Sequence, residues 1–177
     1  MFMKKKVLGL LGLALCLNLT AMAKIPSDDI SLGGICPDYT IDYVQSIYGE
    51  GDYTPVSYDY RTELYTSAVS YGGTAEFWAD AGSADAEQKV TLIKITANNG
   101  FATPKGIHVG STKKDVLSAY GMPDSGMSRG NKKSINTRGP GKYPEILQYR
   151  ALEKPAKNIC FYIQNGVVVE IRAGYDY

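Results

Sequence analysis

Two short stretches of the chain have the apolar spacing and the end signals of a helix, and the clearer one is residues 109–124. Its apolar stripe consists of Val116, Leu117 and Tyr120. Thr112 precedes the stripe and Asp115 follows three residues later, which is the spacing of a capping box. Gly121 is the type of residue that ends a helix, and Pro123 prevents its continuation. The pattern therefore predicts a helix of about two turns between Thr112 and Gly121.

A shorter version of this pattern occurs at residues 40–52. Thr40 takes the capping position and Gly49 takes the stop position. Val44 and Tyr48 supply the apolar stripe, so the two stretches share the core V-x-S-x-Y-G. Helices of this length are unstable alone in water, and we therefore expect each to pack against another element.

Runs of apolar and β-branched residues follow each helix pattern and predict strands. The runs are residues 56–60, 63–71, 74–80, 90–96, 146–149, 159–164 and 167–172. Gly72-Gly73 and Asn165-Gly166 are two-residue turn signals typical of hairpins. Strands joined by tight turns in chain order favour an antiparallel meander. The sequence thus predicts an α+β fold of two tandem repeats, each a short helical segment packed on a three- to four-stranded antiparallel sheet.

The Asn165-Gly166 turn also predicts which side chains share a face of the last hairpin, because cross-strand partners point the same way. The predicted pairs are Gln164 with Val167, Ile163 with Val168, and Tyr162 with Val169. One face then holds Cys160, Tyr162, Val167, Val169 and Ile171. The other face holds Ile159, Phe161, Ile163, Val168, Glu170 and Arg172. Because the first face carries no charge, we predict that it packs against the helix and that the second face is partly exposed. In the strand 90–96 the matching core residues are Ile93 and Ile95.

Residues 1–23 have the layout of a secretory signal peptide. The signals are the basic residues 4–6, the apolar residues 7–15 and the motif Ala21-Met22-Ala23. The apolar stretch is too short to span a bilayer, so we expect cleavage after Ala23 and export to the periplasm, the cell surface or the medium. Lipidation of Cys16 is disfavoured, because Leu15 is bulkier than the residue that usually precedes a lipidated cysteine. No later apolar run is long enough to span a membrane.

The net charge of the chain narrows the classes of partner that it can bind. Removal of Lys4, Lys5 and Lys6 from the 19 basic residues leaves 16 against 18 acidic residues, a net charge of −2. That balance favours neither nucleic acid nor an anionic membrane as a partner.

An exported chain with two remaining cysteines, Cys36 and Cys160, invites a disulfide bond. Two buried free thiols are the alternative.

Residues suited to catalysis or metal binding are sparse. The chain has a single histidine, His108, between the apolar Ile107 and Val109, where a structural or exposed role is usual. A zinc site would need a second histidine or a Cys-x-x-Cys motif, and neither occurs. The P-loop motif is also missing. We therefore expect a protein without catalytic residues, metal or cofactor.

Two motifs carry a resemblance to a known family. The pattern I-x-V-G-S-T-x-x-D-V-x-x-x-Y-G-x-P at residues 107–123 resembles the helical signature of the BamE (SmpA/OmlA) family, and F-Y-I-x-N-G-V-V-V-E-I at 161–171 resembles its closing hairpin. The duplicated layout is similar to the two-repeat architecture of β-lactamase inhibitor protein (BLIP). The resemblance implies a first repeat at 24–97, a linker at 98–105 and a second repeat at 106–177. It also implies protein binding, of the envelope-assembly or the enzyme-inhibitor type.

The chain contains 14 tyrosines, and many of them lie between Tyr39 and Tyr71. They are either good strand formers that pack a small sheet or the parts of an aromatic binding face. The candidates for such a face are Tyr58, Tyr60, Tyr65, Trp78, Tyr149 and Phe161.

A basic segment at residues 125–144 is the second candidate. It has five basic residues and no acidic one: Arg129, Lys132, Lys133, Arg138 and Lys142. This composition is typical of a solvated hairpin loop, or of a contact arm for an anionic surface. We expect an exported, non-enzymatic module that binds a protein partner through its free sheet faces. Binding of an anionic glycan or a lipid headgroup through the basic segment is the alternative.

Overall fold

A computed structural model of the chain describes residues 24–128, 145–151 and 153–175. The predicted signal peptide and most of the basic segment lie outside this range. A single 3-10 turn, Ser27–Asp29, precedes the main elements. In chain order these are α1 Ile41–Tyr48, β1 Asp52–Asp59, β2 Leu64–Tyr71, β3 Ala75–Ala81, β4 Lys89–Ile95, α2 Lys113–Tyr120, β5 Ser125–Ser128, β6 Glu145–Arg150, β7 Lys157–Gln164 and β8 Val167–Tyr175. The seven predicted strands are all present, and β5 is an additional one.

The strands form one continuous antiparallel sheet, so the predicted fold of two tandem helix-on-sheet repeats is wrong. The order across the sheet is β1-β2-β3-β4-β8-β7-β6-β5. The join lies at the centre, where Leu92 pairs with Gly174 and Ile95 pairs with Ile171. Two separate sheets would leave the edges of β4 and β8 unpaired, and an unpaired edge is a template for association with other chains. Pairing β4 with β8 removes both edges.

Gly174 permits the close approach of the two strands at this join. A Cβ atom at position 174 would lie 2.3 Å from the carbonyl oxygen of Thr91. Thr91 itself is the extra residue of a β-bulge, because Trp78 pairs with Leu92 while Ala79 pairs with Val90. The backbone therefore comes nearer at this point than any side chain on residue 174 allows.

Both helices begin and end where their local signals predict. The Thr112 hydroxyl accepts a hydrogen bond from the Asp115 amide, and the Asp115 carboxylate accepts one from the Thr112 amide at 2.8 Å. In α1, the Thr40 hydroxyl accepts from the Tyr43 amide at 3.1 Å. Gly121 ends α2 with a φ of 76°, a left-handed conformation that costs glycine little. The predicted capping residues and stop residues are thus confirmed.

The core lies between the helices and one face of the sheet. Each helix contributes its predicted stripe, and the sheet contributes alternate side chains of its central strands. The helix residues buried there are Ile41, Val44, Val116 and Tyr120. The main strand residues buried there are Val69, Phe77, Ile93, Ile95, Phe161 and Ile171. The predicted core positions Ile93 and Ile95 are therefore confirmed.

The face prediction for the last hairpin is wrong for most of its residues. Gln164 pairs with Val167 and Ile163 with Val168, as predicted, but a bulge follows and Tyr162 pairs with Glu170. The extra residue reverses the side-chain alternation beyond it. The core side holds Ile159, Phe161, Ile163, Val168 and Ile171. Cys160 and Tyr162 point to the opposite face together with Glu170 and Arg172.

That opposite face tolerates charge because its charges are paired. The Arg172 guanidinium lies 4.9 Å from the centre of the Tyr162 ring and donates a hydrogen bond to the Glu170 carboxylate. Lys94 on the neighbouring strand forms an ion pair with Glu76 at 2.9 Å. Absence of charge was therefore a misleading criterion for the core face.

The sequence also predicts that no apolar run after residue 23 is long enough to span a membrane. Among the residues that the structure describes, neither helix has the length and apolar character needed to cross a bilayer. The domain boundaries at residues 97/98 and 105/106 stay predictions.

Candidate binding surface

Two residues predicted for the binding face, Tyr149 and Phe161, are fully buried in the core. The Tyr149 ring lies 5.2 Å from that of Tyr120, and its hydroxyl donates to the Gly121 carbonyl at 2.9 Å. Phe161 packs against Tyr120 at a ring distance of 5.2 Å. Their assignment to a partner-binding face is wrong, since a partner cannot reach either ring in the folded chain.

Trp78 is separated from the predicted tyrosines by the sheet. It pairs with Leu92 on the face away from the helices, where its indole N–H donates to Glu76 at 3.1 Å. On the same face, Gln148, Cys160, Tyr162 and Glu170 are buried. These four side chains are therefore out of reach of a partner, and we place the candidate surface elsewhere.

The remaining three candidates, Tyr58, Tyr60 and Tyr65, lie together at the β1 edge. The Tyr58 ring is 4.9 Å from the Tyr60 ring, nearly perpendicular to it, and 5.1 Å from the Tyr65 ring. Tyr58 and Tyr65 are direct cross-strand partners. Tyr60 follows the end of β1 and is 86% exposed. The structure thus brings together half of the predicted aromatic set.

The sequence reasoning missed four further exposed residues close by in the chain. These are Tyr39, Tyr43, Ile47 and Tyr53. Tyr43 and Ile47 are four residues apart and therefore lie on one side of α1. The sequence does contain a signal for this pair. Val44 and Tyr48 account for the buried stripe of α1, so Tyr43 and Ile47 form a second apolar pair on another side of the helix. We call the set Tyr39, Tyr43, Ile47, Tyr53, Tyr58 and Tyr60 the tyrosine surface.

The register of β1 shows that its tyrosines share the helix side of the sheet. Tyr53 pairs with Val69, and Tyr58 pairs with Tyr65. Positions 65 and 69 on β2 are four apart and point to the same face. Val69 is fully buried in the core beneath the helices. Helix α1 and the aromatic side chains of β1 therefore flank the same outer part of the sheet.

The segment that carries the tyrosine surface is acidic. Residues 38–63 contain six acidic residues and one basic residue, a net charge of −5. The single basic residue, Arg61, is committed to Asp59 through an ion pair of 3.1 Å. The hydrogen bond to Asp59 raises the pKa of Arg61, which keeps the guanidinium charged. A partner of this surface therefore meets aromatic rings within a negative field.

A shallow groove of about 470 Å³ lies at the start of α1. Its lining residues are Asp38, Tyr39, Thr40, Tyr43, Glu87 and Lys89. The rings of Tyr39 and Tyr43 meet edge to face, with centroids 4.9 Å apart. We call this feature the α1 groove.

Asp38, which lines the α1 groove, contacts two residues from the C-terminal part of the chain, Lys157 and Tyr175. Its carboxylate is 2.7 Å from the Lys157 ammonium and accepts a hydrogen bond from the Tyr175 hydroxyl. Partial burial alone would raise the pKa of Asp38, but the hydrogen bonds from Lys157 and Tyr175 outweigh it and hold that pKa below its usual value. The carboxylate is therefore ionised at neutral pH and fixed in place.

Of the two alternatives for Cys36 and Cys160, the disulfide bond is the one that the structure contradicts. Neither Cys36 nor Cys160 takes part in a disulfide. Cys160 lies on the sheet face away from the helices, where its thiol is 3.5 Å from the Asn158 side-chain oxygen. Cys36 lies in the segment that leads into α1.

Other residues singled out from the sequence have structural positions or lie outside the described range. His108 lies in the turn before α2, where its backbone amide donates to Ser111 Oγ at 3.1 Å and its carbonyl accepts from the Ser111 amide at 3.0 Å. Within residues 24–128, 145–151 and 153–175, no three His, Cys, Asp or Glu side chains converge to hold a metal. The basic residues Arg129, Lys132, Lys133, Arg138 and Lys142 lie outside the described residues, so the role of that segment stays a prediction.

Comparison with known proteins adds no identification. No protein-family model, no curated protein and no solved structure matches this chain. The resemblance of residues 107–123 and 161–171 to BamE-family motifs therefore stays a prediction.

Proposed function

We propose that this chain is an exported, non-enzymatic module that binds a protein partner through the tyrosine surface. The observation that carries the proposal is the distribution of exposed apolar side chains. Of the seven large hydrophobic side chains exposed among the described residues, six lie within residues 39–60. The seventh is Met122, beyond the end of α2. Exposed apolar side chains concentrated in one part of a chain favour contact with a partner.

Tyrosine suits such a contact for a physical reason. Its ring offers a large apolar area with few rotatable bonds, and its hydroxyl stays hydrogen-bonded to water before a partner arrives. The ring contacts Tyr58–Tyr60 and Tyr58–Tyr65 already hold two side chains of the tyrosine surface in place, with Tyr65 as their neighbour on β2. A partner therefore finds a partly ordered surface and loses less conformational entropy on binding.

The edge of β1 favours contact through side chains over addition of a strand. Pro55 lies within β1 and has no amide hydrogen to donate, and the pairing of β1 with β2 is interrupted between Thr54 and Ser57. Bulges and prolines are common means of preventing strand addition at a sheet edge. The proposal therefore concerns side-chain recognition on the helix side of the sheet.

A comparative capture experiment tests the proposal. The immobilised protein is incubated with envelope and extracellular extracts of the producing cells, as wild type, as a Tyr58→Ser/Tyr60→Ser double variant and as Met122→Ser. The Met122 variant is the matched control, because it also removes an exposed apolar side chain. We expect the tyrosine variant to lose at least about ten-fold in affinity for a captured protein, as for the loss of interface anchors, and Met122→Ser to retain it. Equal capture by all three proteins would show that the tyrosine surface is not the binding site.

A further inference from the structure

We infer that the partner presents a segment rich in lysine or arginine, and that the α1 groove receives one of its cationic side chains. This inference rests on the proposed function, because it names the chemistry of the partner that the tyrosine surface binds. It is carried by two separate observations, the charge distribution along the chain and the composition of the groove.

Charge is divided unevenly between the two halves of the mature chain. Residues 24–97, here the first half, contain 4 basic and 12 acidic residues, a net charge of −8. Residues 98–177, the second half, contain 12 basic and 6 acidic residues, a net charge of +6. The small overall charge of the mature chain is therefore the sum of a strongly negative first half and a strongly positive second half. The tyrosine surface belongs entirely to the acidic half, so it attracts a basic partner and repels an acidic one.

The α1 groove combines the two kinds of group that hold an organic cation. The faces of tyrosine rings carry negative charge density and attract an ammonium or guanidinium group within about 6 Å. Tyr39 and Tyr43 line the groove together with the Glu87 carboxylate. A lysine or arginine can place its apolar stem along the rings and its charge at the carboxylate. No neutral side chain gains both contacts.

Lys89 in the lining of the groove and Lys157 beside it leave Glu87 as the available acceptor. Asp38 is neutralised by Lys157 at 2.7 Å, and the Lys157 side chain is only 16% exposed. Lys89 lies 3.7 Å from Glu87, with 53% and 64% of the two side chains exposed. An ion pair so long and so exposed is weak and exchanges readily with an incoming cation. Asp42, exposed in the first turn of α1, offsets the positive end of the helix dipole near the groove.

A peptide titration followed by NMR tests the inference. The isotope-labelled protein is titrated with hexa-arginine and, as a charge control, with hexaglutamate. We expect hexa-arginine to shift the amides of residues 38–43 and 87–89, with an affinity that falls as salt is raised from about 50 to about 300 mM. Hexaglutamate is expected to leave these amides unchanged. Absence of shifts in these two segments with hexa-arginine would overturn the inference.

Matched variants separate the groove from the general negative field. Glu87→Gln is expected to weaken hexa-arginine binding at least about five-fold, whereas Glu50→Gln, an equal change of charge beyond the other end of α1, is expected to weaken it less than about two-fold. Tyr43→Phe keeps an aromatic ring and should retain binding, while Tyr43→Leu keeps apolar area without the ring and should weaken it. Equal effects of Glu87→Gln and Glu50→Gln would overturn the assignment to the α1 groove.

The outcomes also distinguish this inference from the proposed function and from self-association. If Tyr58→Ser/Tyr60→Ser abolishes partner capture while Glu87→Gln leaves it unchanged, the inference fails and the proposed function stands. If sedimentation shows a dimer that Glu87→Gln dissociates, the occupant is the basic half of a second copy, which also overturns the inference. A monomer that binds hexa-arginine through Glu87 and Tyr43 supports it.

Discussion

Helices α1 and α2 are built alike towards the core and differ towards solvent. Each begins at a threonine cap and ends at a glycine whose carbonyl accepts a tyrosine hydroxyl: Tyr71 donates to Gly49 at 2.7 Å, and Tyr149 donates to Gly121 at 2.9 Å. Burial raises the pKa of both tyrosines, so their hydroxyls stay protonated and donate. The shared features anchor each helix end to the sheet.

The solvent sides of the two helices have opposite character. On α2 the exposed residues are Lys114, Asp115 and Ser118. On α1 they are Asp42, Tyr43, Ser46 and Ile47. A polar face needs nothing further, because water satisfies it. The aromatic face of α1 and the tyrosines of β1 are the part that we propose a partner covers. Because the two helices share their caps and their anchors to the sheet, the difference between them lies in the residues that face solvent, and these are the more informative about function.

Substitutions of aromatic residues in the two halves are expected to give the largest difference. Phe161→Ala removes a ring that is fully buried in the second half and should lower the free energy of unfolding by about 3–5 kcal/mol. Tyr60→Ala removes an exposed ring in the first half and should change it by less than about 0.5 kcal/mol. Urea unfolding followed by circular dichroism measures both. A small effect of Phe161→Ala would return this residue to the exposed position that its sequence pattern first indicated.

Gly174→Ala tests the join between the halves, and its expected effect is smaller. The added methyl group would meet the Thr91 carbonyl, which belongs to the backbone and cannot rotate away. We expect a loss of about 1–3 kcal/mol in the free energy of unfolding, as for other overpacked sites. Gly166→Ala is an informative comparison, because its cost would come from its left-handed φ of 77° and not from a clash. Amide exchange that increases specifically in β4 and β8 for Gly174→Ala would locate the effect at the join.

The ion pair Asp38–Lys157 links the α1 groove to the start of β7, and its pH dependence should be the smallest of these effects. Since the folded state lowers the pKa of Asp38 below 3.8, the pair stabilises the fold above that value. The contribution is lost as pH falls through the lower, folded-state pKa. The Asp38 side chain is 47% exposed, so we expect at most about 1 kcal/mol.

The measurement is the difference in free energy of unfolding between wild type and Asp38→Asn as a function of pH. We expect a constant difference between neutral pH and about pH 5, and a smaller one as the solution is acidified below 3.8. Glu50→Gln serves as the control, because no ion pair involves its carboxylate among the described residues. A difference for Asp38→Asn that grows on acidification would contradict the assigned sign.

Local signals predicted the elements well. Thr40, Thr112, Gly49 and Gly121 set the helix ends, because the groups they satisfy lie within a few residues of each other. The turn Asn165-Gly166 has positive φ at both residues, 53° and 77°, as the sequence indicates for a two-residue hairpin. The same reasoning located seven of the eight strands in the described chain, since each strand is bounded by turn residues. β5, Ser125–Ser128, was missed because its four residues S-G-M-S carry no strand pattern.

The proposed binding surface could be predicted only in part. The sequence selected Tyr58, Tyr60 and Tyr65, and the structure brings these three together, since they are close in the chain and bracket one turn. Tyr149 and Phe161 were included wrongly, because an aromatic residue in a strand has the same pattern whether it faces the core or solvent. Tyr43 and Ile47 were omitted, although their spacing on a helix whose buried stripe was already assigned could have identified them.

The sequence by itself determined the helices, the hairpin turns and the location of most strands, because these depend on contacts within a few residues. The tertiary structure alone decided three things. A bulge at Val169 set the core face of β7, the pairing of β4 with β8 joined all strands into one sheet, and the register of β1 on β2 turned its tyrosines towards the α1 side. Each depends on a partner distant in the chain, and a shift of one residue in pairing reverses every side chain beyond it.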